Sequence, residues 1–136
     1  MWQPSKEIID NAQMTAFINY VNDNYQLQLE DYSQLYIWSI EQAEDFWESF
    51  WKFSGIIHHS PYDIVVDDIT KMPGAKWFKG STLNFAENLL RYKDDHIAIR
   101  FFGEDGISSF LSYNDLYKQV AGLTYALKKQ GIKKGD

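Results

Sequence analysis

The first residues to test for chemistry are two adjacent histidines followed closely by carboxylates. His58 and His59 precede Asp63, Asp67 and Asp68 within one short stretch. Imidazole nitrogens and carboxylate oxygens are common ligands of divalent metals. The spacing matches no helical zinc motif and the surrounding sequence is irregular, so we interpret these residues as exposed loop polarity. We therefore expect no metal site.

Two pairs of neighbouring acids, Asp67-Asp68 and Asp94-Asp95, have the residue type that general acid–base catalysis uses. A catalytic pair needs surroundings that separate the two pKa values, whereas adjacent acids in surface loops are usually just solvated. The chain has no Cys, and it lacks the nucleophile-elbow sequence of a Ser-His-Asp site. We expect no catalytic residue in this sequence.

One glycine-containing segment superficially resembles a phosphate loop. Gly74 to Ser81 reads GAKWFKGS. A phosphate loop needs four residues between its glycines and a Lys-hydroxyl pair after the second, because these groups reach the phosphates and the bound Mg2+. The spacing here is wrong and the Lys-hydroxyl pair is missing. We reject this interpretation and expect no cofactor-binding residue.

The basic and aromatic residues also suggest a binding surface, which the overall charge argues against. Lys128, Lys129, Lys133 and Lys134 form a small basic cluster, which we interpret as a helix end and a turn. The aromatic content of 17% suggests stacking on bases or sugars. A net charge of -6 argues against bases, and the helical spacing of the rings favours a core.

Length and composition indicate one globular domain's worth of chain. The 136 residues are 45% hydrophobic and 24% charged. The acidic balance excludes a broad nucleic-acid or anionic-membrane surface, and no Cys means no disulfide. We see no signal peptide and no apolar run near the ~20 residues that cross a bilayer. We expect a cytoplasmic protein, with its oligomeric state left open.

The elements that position these residues begin with an aromatic helix. Ser39 to Gly55 places its apolar residues at helical spacing, at Ala43, Phe46, Trp47, Phe50 and Trp51. We predict one helix that starts with a Ser39–Gln42 capping box and stops at a left-handed Gly55. The rings, Trp47 included, are expected to form the centre of the core.

Two further helices are predicted before it. Residues 1 to 10 are expected to be an extended lead-in, because Pro4 disfavours a helix through Gln3. A second pattern places Met14, Phe17, Ile18 and Val21 on one stripe, with Asp10 or Asn11 as the cap. A third begins at Asp31 and turns Tyr32, Leu35 and Trp38 inward.

The sequence after Gly55 predicts an irregular stretch, followed by a short helix, two strands and a last helix. Residues 56 to 80 are expected to be a long connection with one strand, Ile64 to Val66. A short helix follows over Thr82 to Arg91, with Asn84 and Glu87 as a capping pair. His96 to Phe102 and Ile107 to Leu111 are predicted strands joined by the hairpin sequence GEDG. Ser112 and Asp115 cap a last helix over 113 to 130, which Gly131 ends.

The predicted fold class is α+β: a helical N-terminal cap of about three helices, a short helix, a β-hairpin and a long C-terminal helix. We place the cap at 1–55, the irregular connection with its short helix at 56–92, and the strand-hairpin-helix segment at 93–136. Gly135-Asp136 is a turn that normally leads into another strand, so we expect the truncated start of a larger α/β domain.

Several segments together resemble the beginning of the acetoacetyl-CoA synthetase family. The segments are Asp31-Tyr32 with Leu35, Trp38-Ser39-Ile40-Glu41, Phe46-Trp47 with Trp51, Phe53 and Gly55, Trp77-Phe78 with Gly80, and the sequence LNFAENLL from Leu83 to Leu90. The last is the most specific, since acetyl- and propionyl-CoA synthetases diverge after its Asn. The closing GIKKGD is similar to a turn of the wider adenylate-forming superfamily.

The resemblance implies an AMP-forming ligase that activates a short oxo-acid with ATP and Mg2+ and passes it to coenzyme A. No position here matches the family's phosphate loop, ribose-binding Asp or catalytic Lys, so no site residue is carried over. It implies that the chain packs on the remainder of its own adenylating domain, with Trp77 and Phe78 as docking anchors in an exposed apolar patch that includes Phe85. The alternatives are a stand-alone protein-interaction module and an acetyl- or propionyl-CoA synthetase.

Overall fold

A computed structural model describes residues 3–133 and 135–136 of the chain. The residues up to Leu83 form one compact unit, the N-terminal unit, and those from Asn84 onward form another, the C-terminal unit. Over the described residues there are six helices and two separate two-stranded antiparallel sheets. The α+β prediction is confirmed.

The division into segments at residues 55 and 92 remains a prediction about domain organisation. In the structure, most of the segment predicted as a connection, residues 56–83, packs with the helices of the N-terminal unit. Among the described residues, no helix has both the length and the apolar character needed to cross a bilayer.

Helix α1 spans Lys6–Asp10, so the extended lead-in predicted for residues 1 to 10 is wrong beyond Ser5. The Ser5 hydroxyl accepts a hydrogen bond from the backbone N–H of Ile8 at 3.3 Å. Pro4 lies outside the helix, just before this N-cap, so its missing N–H costs no helical hydrogen bond. Met1 and Trp2 lie outside the described residues.

Helix α2 spans Gln13–Tyr25 and buries Phe17, Ile18 and Val21 as the sequence pattern predicts. Its N-cap is Ala12, without a side-chain hydrogen bond, and not Asp10 or Asn11. Asn11 is already used at the end of α1, where its side-chain amide donates to the Glu7 carbonyl at 2.9 Å.

Helix α3 spans Tyr32–Glu41 and begins where predicted. An Asp31 carboxylate oxygen accepts from the Gln34 N–H at 2.9 Å, which satisfies one of the free amides of the first turn. Leu35 and Trp38 are buried, whereas the Tyr32 ring, predicted to face inward, is 59% exposed.

Helix α4 spans Ala43–Phe53 with Gln42 as its N-cap, so it begins three residues later than a Ser39 cap predicts. Ser39 belongs to α3, and its hydroxyl donates to the Tyr36 carbonyl at 2.7 Å, so the Ser39–Gln42 capping box does not form. Gln42 ends α3 and begins α4 without a side-chain cap. Gly55 has a φ of 58°, as expected of a left-handed stop.

The buried centre of the N-terminal unit comes from α2 and α3 more than from α4. Its buried members are Phe17, Ile18, Val21, Leu35 and Trp38. From α4, Phe46 and Phe53 pack against this cluster while only partly buried. Trp51 is buried on another side of the same helix, against the β-hairpin that follows.

That hairpin pairs β1, Ile64–Val66, with β2, Trp77–Lys79, in antiparallel register. The sequence predicted β1 but missed β2. An isolated bridge between Ser60 and Thr82 extends the pairing beyond the strands. Residues 56 to 80 are therefore a hairpin with a long tip as well as an irregular connection.

The C-terminal unit follows its predicted order closely. Helix α5, Phe85–Leu89, is capped by Asn84, and α6, Tyr113–Lys129, is capped by Ser112. Strand β3, Ile97–Phe102, pairs antiparallel with β4, Ser108–Ser112. On the apolar stripe of α6, Leu116 and Val120 are half-buried, whereas Leu123 is 61% and Leu127 44% exposed.

Candidate functional site

The histidines and acids considered for a metal do not converge. The His58 ring lies 5.7 Å from the Trp51 ring, whereas His59 donates its backbone N–H to the Thr82 carbonyl at 2.7 Å. Asp63 donates its backbone N–H to the Lys79 carbonyl within the hairpin. Over the described part of the chain, no three His, Cys, Asp or Glu side chains are placed to hold a metal ion.

Asp67 and Asp68 organise the tip of the β1–β2 hairpin. Asp67 accepts from the Lys76 backbone N–H at 2.8 Å, which lowers the pKa of its carboxyl group. Asp68 accepts from the hydroxyl and the N–H of Thr70, and these bonds lower its pKa as well. Both carboxylates therefore favour the charged state, which suits residues that accept hydrogen bonds in a turn. A general acid near neutral pH would instead have to hold its proton.

In the second acidic pair, Asp94-Asp95, the Asp94 carboxylate bonds to a neighbour in sequence. Asp94 accepts from the backbone N–H of His96 and lies 3.0 Å from its Nδ1 atom. The backbone hydrogen bond, followed by the side-chain one, lowers the Asp94 pKa. Asp94 therefore shapes the entry into β3, beside the Asn114 N–H that donates to its carbonyl.

The glycine-containing segment and the lysines have structural positions. Residues 77–79 within Gly74–Ser81 form β2, and the Ser81 amide donates to the Phe78 carbonyl at 3.1 Å. The Lys76 amide donates to the Asp67 carboxylate at 2.8 Å, so the printed bonds of this segment lie within the hairpin. Lys128 and Lys129 close α6, whereas Lys134 lies outside the described residues.

An aromatic cluster joins α4 to the hairpin. The Phe78 ring stacks on Trp51 at 4.3 Å, and Tyr62 meets both rings edge-on at 5.4 and 5.8 Å. Phe78 has a φ of 48°, which is uncommon for a bulky residue and is held here by the stack. Sequence reasoning missed this arrangement because it depends on a backbone conformation that Phe rarely adopts.

A polar group closes the outer side of this cluster. The Tyr62 hydroxyl donates to a Glu48 carboxylate oxygen at 2.7 Å, and Lys52 pairs with the same oxygen at 3.0 Å. The bond from Tyr62 is the main cause of the lowered Glu48 pKa. Burial raises the Tyr62 pKa to about 12, and the hydrogen bond that its hydroxyl donates to the Glu48 anion contributes to the rise.

These shifts predict how stability responds to pH. Because folding lowers the Glu48 pKa below its ordinary 4.5, its contribution is complete above that value and lost as the pH falls through the lowered pKa. Urea unfolding at about pH 6 and at about pH 3 should show that the free energy of unfolding falls more for the wild type than for Glu48→Gln. As a separate test of the same hydrogen bond, Tyr62→Phe should lower the free energy of unfolding by about 1 kcal/mol at neutral pH. Equal acid losses in wild type and Glu48→Gln would contradict the assignment.

An apolar cavity of about 350 Å³, which we call the apolar groove, lies between α2, α3 and α4 in the N-terminal unit. Its base includes the buried Phe17 and Leu35. Its walls are formed by Met14, Tyr32, Tyr36, Phe46, Trp47 and Phe50. Five of these wall residues, all but Phe46, are more than 40% exposed. Contiguous exposed apolar surface of this kind marks interaction sites more often than single exposed residues do.

Trp47 connects the apolar groove to the hairpin. Its ring lies 5.9 Å from Trp77 and 6.0 Å from Phe50, and it is 42% exposed. The prediction that Trp47 is a core residue is therefore wrong. Of the two proposed docking anchors, Trp77 is 39% exposed, whereas Phe78 is stacked on Trp51. Phe85, the third residue of the predicted docking patch, is 72% exposed.

Comparison with known proteins gives this fold a family. The family model described as "Acetyl-coenzyme A synthetase N-terminus" matches residues 32–89, the stretch from α3 to α5. The acetoacetyl-CoA synthetase of Macaca fascicularis is 42% identical over 100% of this chain and 20% of its own length. The solved acetoacetyl-CoA synthetase from Streptomyces lividans is 32% identical over 99% of this chain and 21% of that one, with a TM-score of 0.82.

The chain corresponds to the N-terminal region of the acetoacetyl-CoA synthetase family. It spans about one fifth of the length of the curated relatives it matches. A malonamoyl-CoA synthetase of Penicillium aethiopicum is also similar, at 37% identity over 93% of this chain and 18% of its own length. The resemblance predicted from LNFAENLL and the aromatic segments is confirmed.

The residues that carry the resemblance to the acetoacetyl-CoA synthetase family have clear physical roles in this structure. Trp51 and Phe78 stack, Asn84 caps α5 with its side-chain oxygen 3.1 Å from the Glu87 N–H, and Gly80 has a φ of 93°. These are packing, capping and backbone roles.

Proposed function

We propose that this chain is the N-terminal part of an AMP-forming ligase that converts acetoacetate, ATP and CoA to acetoacetyl-CoA, AMP and pyrophosphate. The observation that supports this most directly is the match along the whole chain to proteins named for that product, in sequence and in fold. The activity belongs to the complete protein, and this part of it serves as scaffold and docking surface.

We also propose that the chain supplies no catalytic, cofactor-binding or metal-binding residue. What supports this is the use of these groups within the hairpin: the Lys76 and Ser81 amides donate to Asp67 and to the Phe78 carbonyl, and Asp67 and Asp68 already accept bonds at the tip. ATP, Mg2+ and CoA are therefore assigned to the rest of the enzyme.

The remainder of the same adenylating domain is the proposed partner of the C-terminal unit. Phe101, Phe102 and Phe110 of the β3–β4 hairpin are each more than half exposed. A two-stranded hairpin is marginal by itself and gains stability when more strands or a covering layer bury its apolar residues. Neither nucleic acid nor membrane is proposed as a partner, and a cytoplasmic location remains a proposal.

The deciding experiment assays the full-length protein containing this chain for CoA-thioester formation, offering acetoacetate, acetate, propionate, butyrate and malonamate separately. Acetoacetate should give the highest kcat/KM. A preference for acetate or propionate would replace this proposal with the acetyl- or propionyl-CoA synthetase alternative, which the name of the matching family model favours. A preference for malonamate would follow the fungal relative instead.

A second measurement separates scaffold from enzyme. The 136-residue chain alone should neither exchange pyrophosphate into ATP nor bind a nucleotide. A saturable change in intrinsic Trp fluorescence on ATP titration would contradict the scaffold role. The remaining alternative is a stand-alone protein-interaction module, and the exposed apolar groove is the observation that supports it.

A further inference from the structure

A second groove, which we call the α6 groove, lies along the last helix of the C-terminal unit. It is a cavity of about 390 Å³, bounded at one side by Leu90 at the end of α5. Its other lining residues share one face of α6 at helical spacing: Tyr117, Val120, Ala121, Thr124, Tyr125 and Lys128. Tyr125 is 71% exposed and Tyr117 38%. The α6 groove is therefore an open, largely apolar helix face.

Both ends of the α6 groove carry positive charge. Lys128 lines one end. At the other end, the Lys93 Nζ atom lies 4.2 Å from the centre of the Tyr117 ring. Tyr117 and Lys128 are eleven residues apart, which is about 16 Å along a helix. Among the described lining residues there is no Asp or Glu, so neither end is neutralised from within the groove.

Whatever covers α6 has to be present whenever the C-terminal unit is folded. Among the described residues, no side chain of α6 is buried, and Ser112 is the one buried residue of this unit. Helices in proteins owe most of their stability to the packing of an apolar face. A partner that dissociates would leave this helix without that packing. The rest of the same polypeptide meets the requirement, since this chain spans 20% of the macaque relative's length.

Covering the α6 groove also removes water from its lysines. An ammonium group taken out of water is destabilising unless a carboxylate or another acceptor pairs with it. Among the described residues, neither Lys93 nor Lys128 forms an ion pair. Lys118, by contrast, is paired with Asp115 at 3.7 Å. The acceptors for Lys93 and Lys128 therefore have to come with the segment that covers the groove.

We propose that the α6 groove is covered in the complete protein by an acidic segment of the same polypeptide, whose Asp or Glu side chains pair with Lys93 and Lys128. Its apolar side chains pack against the face that contains Ala121 and Thr124. If the segment is a helix, its two acidic positions are about eleven residues apart, matching the two ends of the groove. The inference rests on the proposed function in requiring a longer protein, but not on which acid that enzyme activates.

The test is zero-length crosslinking of the full-length protein with a carbodiimide, which joins an amine to a carboxylate only when the two are in contact. Peptide mass spectrometry should find both Lys93 and Lys128 joined to Asp or Glu side chains outside residues 1–136. Lys118 with Asp115, 3.7 Å apart, is the positive control. Lys129 is the matched negative control, because it lies in the same last turn of α6 but does not line the groove.

A second measurement compares the acetylation rates of the two neighbouring lysines in the folded full-length protein. A carboxylate that raises a lysine pKa by about one unit lowers the fraction of reactive neutral amine about tenfold. Lys128 should therefore react with N-hydroxysuccinimidyl acetate at least about tenfold more slowly than Lys129. The difference should disappear in urea, where both side chains are solvated.

A charge reversal tests whether the lysines hold the segment. Lys128→Glu should lower the crosslink yield between Lys93 and the same segment at least about threefold, because repulsion at one end loosens the segment. Lys129→Glu makes the same change in the same turn and should leave that yield unchanged. Lys128→Gln replaces Lys128→Glu if circular dichroism shows that the latter is unfolded.

Three results would overturn the proposal. The first is the absence of crosslinks from Lys93 or Lys128 to residues outside 1–136 while Lys118 and Asp115 are joined, which would mean that no acidic segment covers the groove. The second is equal acetylation of Lys128 and Lys129, which would show an open groove. The third is crosslinks between isotope-labelled and unlabelled copies, which would assign the groove to a second copy. Thioester formation is assayed on the same preparation, and a preference for another acid would change the proposed function without altering these results.

Discussion

Trp38→Ala should lower the free energy of unfolding by about 3–5 kcal/mol. Trp38 is only 8% exposed, and its ring meets Tyr25 at 5.2 Å and Phe46 at 6.2 Å. It lies among the buried residues of α2 and α3, where the side chain is enclosed by Leu35, Val21 and their neighbours. Its removal leaves a cavity that surrounding helices can fill only in part, so both contact energy and hydrophobic burial are lost.

Trp47→Ala is the matched control, since it makes the same chemical change on the next helix. Trp47 is 42% exposed and meets its neighbours only at the rim of the apolar groove. The expected cost is about 1–2 kcal/mol. Urea unfolding followed by circular dichroism at 222 nm compares the two without relying on Trp fluorescence. If Trp47→Ala proved as costly as Trp38→Ala, Trp47 would be a core residue and the groove would not be open.

The caps of three helices were predictable because each depends on residues close in sequence. Asp31, Asn84 and Ser112 all accept from the backbone N–H three residues later. The same locality explains why the GEDG hairpin and β3–β4 were predicted correctly. Where two such signals compete, the sequence is less decisive. Asp10 or Asn11 was expected to cap the start of α2, but Asp10 is the last residue of α1 and Asn11 closes that helix.

The face that a helix buries was less predictable than the helix itself. The stripe on α4 is wide, and periodicity does not tell which half of a wide stripe is covered. Trp51 is buried against Phe78, while Trp47 on the same stripe borders a groove. The difference depends on where α2, α3 and the hairpin lie, which is long-range information.

Strand β2 and the candidate groove were missed for related reasons. WFK is too short for an alternation pattern, and Phe78 adopts a positive φ that is rare outside Gly, Asn and Asp. The groove is formed by three helices, and none of its residues has a motif of its own. The only early signal was compositional, an acidic chain with many aromatic residues.

Gly80→Ala is the second substitution with a large expected effect, about 2–3 kcal/mol of destabilisation. Gly80 has a φ of 93°, a conformation that residues with a Cβ rarely adopt. An added Cβ would lie 2.6 Å from an Asp63 carboxylate oxygen and 3.4 Å from the Asp63 backbone nitrogen. The Asp63 side chain can move, but its backbone is held by a 2.8 Å bond from its N–H to the Lys79 carbonyl.

The two causes of this cost can be separated by a double variant. Removing the Asp63 side chain in Asp63→Ala/Gly80→Ala should recover the part due to the contact with the carboxylate, while the part due to φ remains. Gly122→Ala is the control, because a Cβ there meets nothing within 4 Å and an α6 helix interior favours Ala by about 0.5–1 kcal/mol. Thermal unfolding should therefore shift downward for Gly80→Ala and upward for Gly122→Ala. A Gly80→Ala protein as stable as the wild type would show that Gly80 occupies a relaxed conformation, and the hairpin geometry that stacks Phe78 on Trp51 would then need another cause.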